Sequence, residues 1–132
     1  MVRSSGDISA EATAVHGLDA DALANAPTFA DVYQEVGRLL AGRHVLAYNA
    51  EFDEAMIGQT CQRYGLRTPT IGEWTCVMEL YAAHWGELRE DGFRFQSLGV
   101  ACSQQGIPQI GLAHDAAGDA LLTWQLVRSF AD

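Results

Sequence analysis

The residues Arg43-His44-Val45-Leu46-Ala47-Tyr48-Asn49-Ala50-Glu51-Phe52-Asp53 decide how this chain folds. Gly42 precedes them, and the first half is short, apolar and partly β-branched, so residues 43–49 read as a buried strand. Polar and helix-forming residues then take over, predicting a helix from about 51 to 64 that Gly65 closes. A strand running directly into a helix is the building unit of parallel α/β layers.

Working outward, Thr28 with Asp31 three residues later opens a helix in which Phe29, Val32, Val36, Leu39 and Leu40 recur at helical spacing. Asp19 caps a shorter turn through Leu23 that Pro27 stops, and Ser9 caps another ending near Val15, with Gly17 just beyond. Downstream, Trp74-Thr75-Cys76-Val77 reads as a second strand, followed by a helix through Trp85 and a polar loop from Gly86 to Gly92. Helices from Gln96 to Gln105 and from His114 or Asp115 to Phe130 complete the chain. The order predicts an α/β fold with parallel strands. Two short strands do not sustain a sheet beneath so many helices, so the reading expects further strands beside them. An unpaired sheet edge invites self-association.

At 132 residues the chain fits one domain. Its apolar share of 48% and charged share of 19% are those of a soluble globular protein. No apolar run approaches the ~18 residues of a membrane span, and the N-terminus has no signal-peptide core, which predicts a cytoplasmic protein with no membrane partner. Cys61, Cys76 and Cys102 are odd in number and widely spaced, which disfavours a disulfide framework or zinc site; all three read as small buried hydrophobes. Eight basic against 17 acidic residues leave a net charge of −9, which argues against a protein that grips duplex DNA by backbone charge alone. An enzyme binding a short single-stranded end through cations needs little basic surface.

Two constellations carry chemistry. Asp53 follows a strand end, where open α/β sheets place their ligands, although an acid there also suits the positive end of a helix dipole. His114 and Asp119 are five residues apart, hence about 140° apart on a regular helix. They share a site only if His114 precedes the helix proper. Asp119 sits among Ala116, Ala117, Ala120, Leu121 and Leu122, where an unpaired buried carboxylate would be costly. A solvated helix face with an incidental histidine is the plainer alternative. Glu51, Glu54 and Asp115 are expected to project from helix surfaces, and His44 and His84 to lie at the surface or a strand end. Trp74, Trp85 and Trp124 read as packing residues.

Asn49-Ala50-Glu51-Phe52-Asp53 followed by Ala113-His114-Asp115-Ala116-Ala117-Gly118-Asp119-Ala120 resembles the second and third motifs of the DEDDh (DnaQ-like) 3′–5′ exonucleases, a family that includes RNase T and oligoribonuclease. The likeness extends through Ile8-Ser9-Ala10-Glu11-Ala12, Val15-His16-Gly17-Leu18, Ala26-Pro27-Thr28-Phe29 and Ser97-Leu98, and is strongest to members similar to the proofreading epsilon subunit of bacterial DNA polymerase III. It implies a ribonuclease H-like exonuclease fold lacking its first strands, and an N-terminally truncated exonuclease domain over residues 8–130. It implies hydrolysis of single-stranded DNA or RNA from the 3′ end with two divalent ions, Mg²⁺ or Mn²⁺. Asp53 and Asp119 would be metal ligands, His114 the general base, His16 and Gly17 the contacts to the terminal nucleotide, and Asn49 and Phe52 supports of the site. His16 also reads as part of a helix end. A DNA polymerase subunit is an implied partner.

The family's first motif, Asp-x-Glu, is expected upstream of Ile8 and does not occur in this sequence. The resemblance therefore implies that two of four metal-binding carboxylates are missing and that the chain is inactive alone. A non-catalytic exonuclease relative acting as a binding or oligomerisation module is the alternative.

Overall fold

The computed structural model of the protein describes residues 20–109 and 115–131. The turn expected after Ser9, together with His16, Gly17 and His114, lies outside the described residues. The described elements are α1 (Ala20–Leu23), α2 (Phe29–Leu40), β1 (His44–Ala47), α3 (Ala50–Arg63), β2 (Glu73–Cys76), α4 (Val77–Trp85), β3 (Leu88–Arg89), β4 (Gly92–Phe93), α5 (Leu98–Gln104) and α6 (Ala116–Phe130). They fall into two units: Met1–His44 with Ala55–Glu73, and Val45–Glu54 with Trp74–Asp132.

Within the first unit, α2 begins where the sequence places it. The Thr28 hydroxyl accepts from the Asp31 amide and the Asp31 carboxylate accepts from the Thr28 amide, so two orphan donors are satisfied reciprocally. The Phe29 ring lies 6.2 Å from that of Tyr33 and 6.4 Å from that of Tyr64, and the Tyr33 hydroxyl donates to the Arg67 carbonyl. Leu23 and Cys61 are buried here. Gly65, at φ 64°, closes α3 in the left-handed conformation that a side chain would resist.

In the second unit, apart from their first residues His44 and Glu73, β1 and β2 pair as a two-stranded sheet. The Glu73 amide donates to the Arg43 carbonyl and the Met78 amide to the Tyr48 carbonyl; both segments advance by the same five residues, so the strands run parallel. The buried strand expected over 43–49 is corrected on two counts. It is shorter, and His44 and Leu46 are exposed while Val45 and Ala47 are only half-buried. Among the described residues, β2 is the strand that pairs with β1.

The core of this unit forms where α4, α5 and α6 meet: Val77 and Tyr81, Ala101 and Cys102, and Leu122 and Leu126 are buried together. Each large apolar side chain withdrawn from water there stabilises by about 1.5–3 kcal/mol. Tyr48, Leu98, Ile107, Val127 and Phe130 pack around the cluster. Ser97 caps α5 by accepting from the Val100 amide, and Gly86 ends α4 at φ 80°.

The expected polar loop after Gly86 is instead an antiparallel hairpin, with Leu88 opposite Phe93 and Arg89 opposite Gly92. Two further expectations need correction: Cys76 is half-buried and Trp124 is exposed, whereas the Trp85 ring stacks 6.4 Å from that of the buried Tyr81. Trp124 serves as a platform for the Arg128 guanidinium, 4.8 Å from the ring centre. No helix among the described residues is long and apolar enough to cross a membrane.

Candidate functional site

The chain leaves β1 at Ala47, turns through Tyr48 and Asn49, and enters α3 at Ala50, which is buried. The Asn49 carbonyl accepts from the amides of Phe52 at 3.0 Å and Asp53 at 3.3 Å, so Asp53 stands in the first helical turn. That turn presents unpaired amides and the positive end of the helix dipole, which favour a negative group. Asp53 is exposed as a residue, yet its surroundings dehydrate the carboxyl enough to raise its pKa, while a hydrogen bond from its own backbone pulls the other way. Asn49, Glu51 and Glu54 are exposed, as expected for the acids. Phe52 has 61% of its surface open.

Asp119 occupies the equivalent place on α6. The Asp115 carboxylate accepts from the Gly118 amide at 2.6 Å and its carbonyl from the Asp119 amide at 3.0 Å, so Asp115 is the cap and Asp119 the first-turn acid. The apolar neighbours of Asp119 in sequence do not bury it. Gly118 and Leu122 turn inward, and Asp119 is exposed, which corrects the expectation of a carboxylate in apolar surroundings.

The two acids belong to the same unit. Burial, and after it the charge of Asp119, raises the pKa of the Cys102 thiol. Burial, and after it Cys102, Tyr81 and Cys76, raises that of the Tyr48 phenol. Cys102 therefore lies within electrostatic reach both of Asp119 and of Tyr48, the residue at the end of β1. Among the described residues, no group of three His, Cys, Asp or Glu side chains comes together as a metal-binding cluster. Both acids offer the oxygen donors that hard divalent ions prefer, but two carboxylates fall short of a full set of protein ligands.

Sequence reading missed a polar network beneath this strand end. The Tyr48 hydroxyl donates to the Gln96 carbonyl at 2.6 Å. The buried Gln96 side chain donates to Glu87 at 3.3 Å and accepts from Gln104 at 3.2 Å. The buried Tyr81 hydroxyl in turn donates to Gln104 at 3.0 Å and accepts from Gln105 at 3.1 Å. Burial tends to raise the Glu87 carboxyl, but hydrogen bonds from Arg94, Gln96 and Arg89 outweigh it and the net shift is downward. The hairpin turns at Glu90 and Asp91, and Gly92, opposite Arg89, adopts φ 123°. The burial of Gln96 had no legible signal in the sequence.

A family model described as an exonuclease, RNase_T, matches residues 1–127. The uncharacterized exonuclease CP81 of Escherichia phage 186 is 32% identical over 137 residues, spanning 99% of this chain and 71% of that protein. Among solved structures, exonuclease X in complex with 5′ overhanging duplex DNA superposes with a TM-score of 0.61 at 20% identity, covering 100% of this chain and 73% of that one. At that identity the likeness is one of fold, and it agrees with a ribonuclease H-like α/β arrangement.

Proposed function

The chain belongs to the RNase_T exonuclease family, and from that premise we propose that it is a 3′–5′ exonuclease domain for single-stranded nucleic acid, with Asp53 and Asp119 as metal ligands and His114 as general base. One observation carries the assignment of residues: Asp53 and Asp119 each stand exposed in the first turn of a helix of the same unit, Asp53 directly after a strand end. Exonucleases of this family generally use divalent metal ions. Mg²⁺ or Mn²⁺ would supply Lewis acidity toward the phosphodiester and an activated water. The protein's own part is to hold the ions on carboxylate oxygens, to take the proton of the attacking water on the His114 imidazole, and to seat the terminal nucleotide against His16, Gly17, Asn49 and Phe52.

The 132 residues contain no Asp-x-Glu triplet, and the described acids form no cluster of three. Two carboxylates do not hold a pair of divalent ions firmly, so this chain alone is expected to be inactive or nearly so. The same observation favours a second reading, a non-catalytic exonuclease relative that binds nucleic acid or a partner, such as a polymerase subunit or another copy, through a sheet edge that is unpaired among the described residues.

The test is shortening of 5′-labelled DNA and RNA oligonucleotides by the 132-residue chain in Mn²⁺, in EDTA, and with Asp53→Ala, alongside Mn²⁺ titration followed by thermal melting. The proposal expects Mn²⁺ to raise the melting midpoint of the parent and not of Asp53→Ala, with little or no shortening. Strong Asp53-dependent shortening from the 3′ end would refute the inactivity and uphold the chemistry. A midpoint that Mn²⁺ moves equally in both proteins would remove Asp53 as a ligand.

A further inference from the structure

A carboxylate holds a divalent ion only as well as the backbone beneath it is held, so the supports of the Asp53 turn matter to the ion as well. That turn is two residues long, Tyr48 and Asn49, between the end of β1 at Ala47 and the start of α3 at Ala50. The Asn49 carbonyl takes the amides of Phe52 and Asp53, so the orientation of the turn passes directly into the first turn of the helix.

Tyr48 is attached to two different parts of its unit. Its carbonyl accepts from the Met78 amide at 2.8 Å and from the Cys76 thiol at 3.4 Å, which ties the main chain to the junction of β2 and α4. Its hydroxyl donates at 2.6 Å to the carbonyl of Gln96, just ahead of α5 and 48 positions away in the chain. Two attachments to different elements resist a rotation of the turn that one would permit. The half-buried ring between them packs against the core cluster that contains Leu122, three residues beyond Asp119 on α6.

A carbonyl anchors a phenol only if its own residue is fixed. Gln96 is buried, and its side chain donates to Glu87 and to the Arg94 carbonyl, both at 3.3 Å, and accepts from Gln104 at 3.2 Å. Both polar atoms of the amide are thus engaged, which leaves the residue little freedom to turn.

We propose that Tyr48, through its hydroxyl on the Gln96 carbonyl, is a positioning residue for Asp53: it fixes the turn that presents this carboxylate to a divalent ion. This rests on the reading of Asp53 as a metal ligand. Tyr48 acts through the main chain of the turn, and its ring refers that turn to the core against which the helix of Asp119 also packs. The competing account is that the hydroxyl stabilises the fold and nothing more. Tyr81 supplies the control, because its buried hydroxyl belongs to the same network but bonds Gln104 and Gln105.

The measurement is Mn²⁺ binding by the 132-residue chain, read from the electron paramagnetic resonance signal of free Mn²⁺ at a temperature where every variant is folded. The proteins are the parent, Tyr48→Phe, Tyr81→Phe and Asp53→Ala, and amide hydrogen exchange at Phe52 and Asp53 is followed in the same samples. Tyr48→Phe keeps the ring and removes only the hydroxyl. It is expected to weaken Mn²⁺ binding about two- to tenfold, the span of one net hydrogen bond. Exchange at Phe52 and Asp53 should quicken relative to the core amides of α6, which report global unfolding. Tyr81→Phe should lower the melting midpoint and leave Mn²⁺ affinity at the parental value.

Parental Mn²⁺ affinity in Tyr48→Phe, whatever its exchange, would overturn the positioning role and leave Asp53 a ligand. Equal losses of affinity in Tyr48→Phe and Tyr81→Phe would overturn it too, since they would mark a general loosening of the fold. If the parent bound no Mn²⁺, or Asp53→Ala bound it as tightly, the ligand reading itself would fail and take this inference with it.

Discussion

Replacing Tyr81 by phenylalanine isolates the polar network from the core that surrounds it. The ring is fully buried and stays, so the apolar contribution of the site is unchanged. Only the hydroxyl leaves, and with it the bonds to Gln104 at 3.0 Å and from Gln105 at 3.1 Å. A buried donor or acceptor left without a partner costs about 1–3 kcal/mol. Both glutamines are half-buried and recover part of their hydration, which puts the expected loss near ~1–1.5 kcal/mol. With a urea m-value of about 1–2 kcal/mol/M for a chain of this size, the midpoint should fall by roughly 0.5–1.5 M with m unchanged. The assay is urea unfolding followed by circular dichroism and tryptophan emission. Leu126→Ala, at a fully buried core position, calibrates the scale with an expected loss of about 2–5 kcal/mol. A Tyr81→Phe midpoint within about 0.2 M of the parent, beside a normal Leu126→Ala loss, would show that the network does not stabilise the fold.

Asp53→Asn should raise the melting midpoint slightly at pH 7 while removing the proposed metal ligand. The folded carboxyl has a raised pKa, so its charged form is disfavoured by folding; the penalty is present above the folded pKa and vanishes below the ordinary value near 3.8. The advantage of the amide should therefore shrink as pH falls through the carboxylate range, and a midpoint lowered at pH 7 would contradict this. Asp115→Ala removes the α6 cap and should cost about 0.5–2 kcal/mol, with faster amide exchange at Gly118 and Asp119; unchanged exchange there would mean that the cap does not hold the acid's turn.

Much of the local structure was legible because its causes are local. Thr28 and Asp31 form their reciprocal cap, and Gly65 and Gly86 end helices in the left-handed conformation, each from groups within a few residues of one another. The position of Asp53, just past a strand and just inside a helix, follows from the same kind of reading. The exposure of Asp119 did not, since its apolar sequence neighbours said nothing about which residues the helix turns toward α4 and α5. Nor did the hairpin, whose strands are too short for a pattern of period two to declare itself.

The sequence by itself therefore determined the alternation of strand and helix, the turn that places Asp53, and, through a resemblance spread along the chain, the exonuclease family. Only the tertiary structure decided that Gln96 is buried, that Tyr48 hangs on its carbonyl, and that Phe93, Phe95, Arg89 and Arg94 stand exposed at the hairpin. The physical reason lies in range. Caps and turns are settled between neighbours in the chain, whereas the burial of a glutamine or the exposure of a ring depends on side chains tens of residues away, such as Tyr48 and Gln96, 48 positions apart.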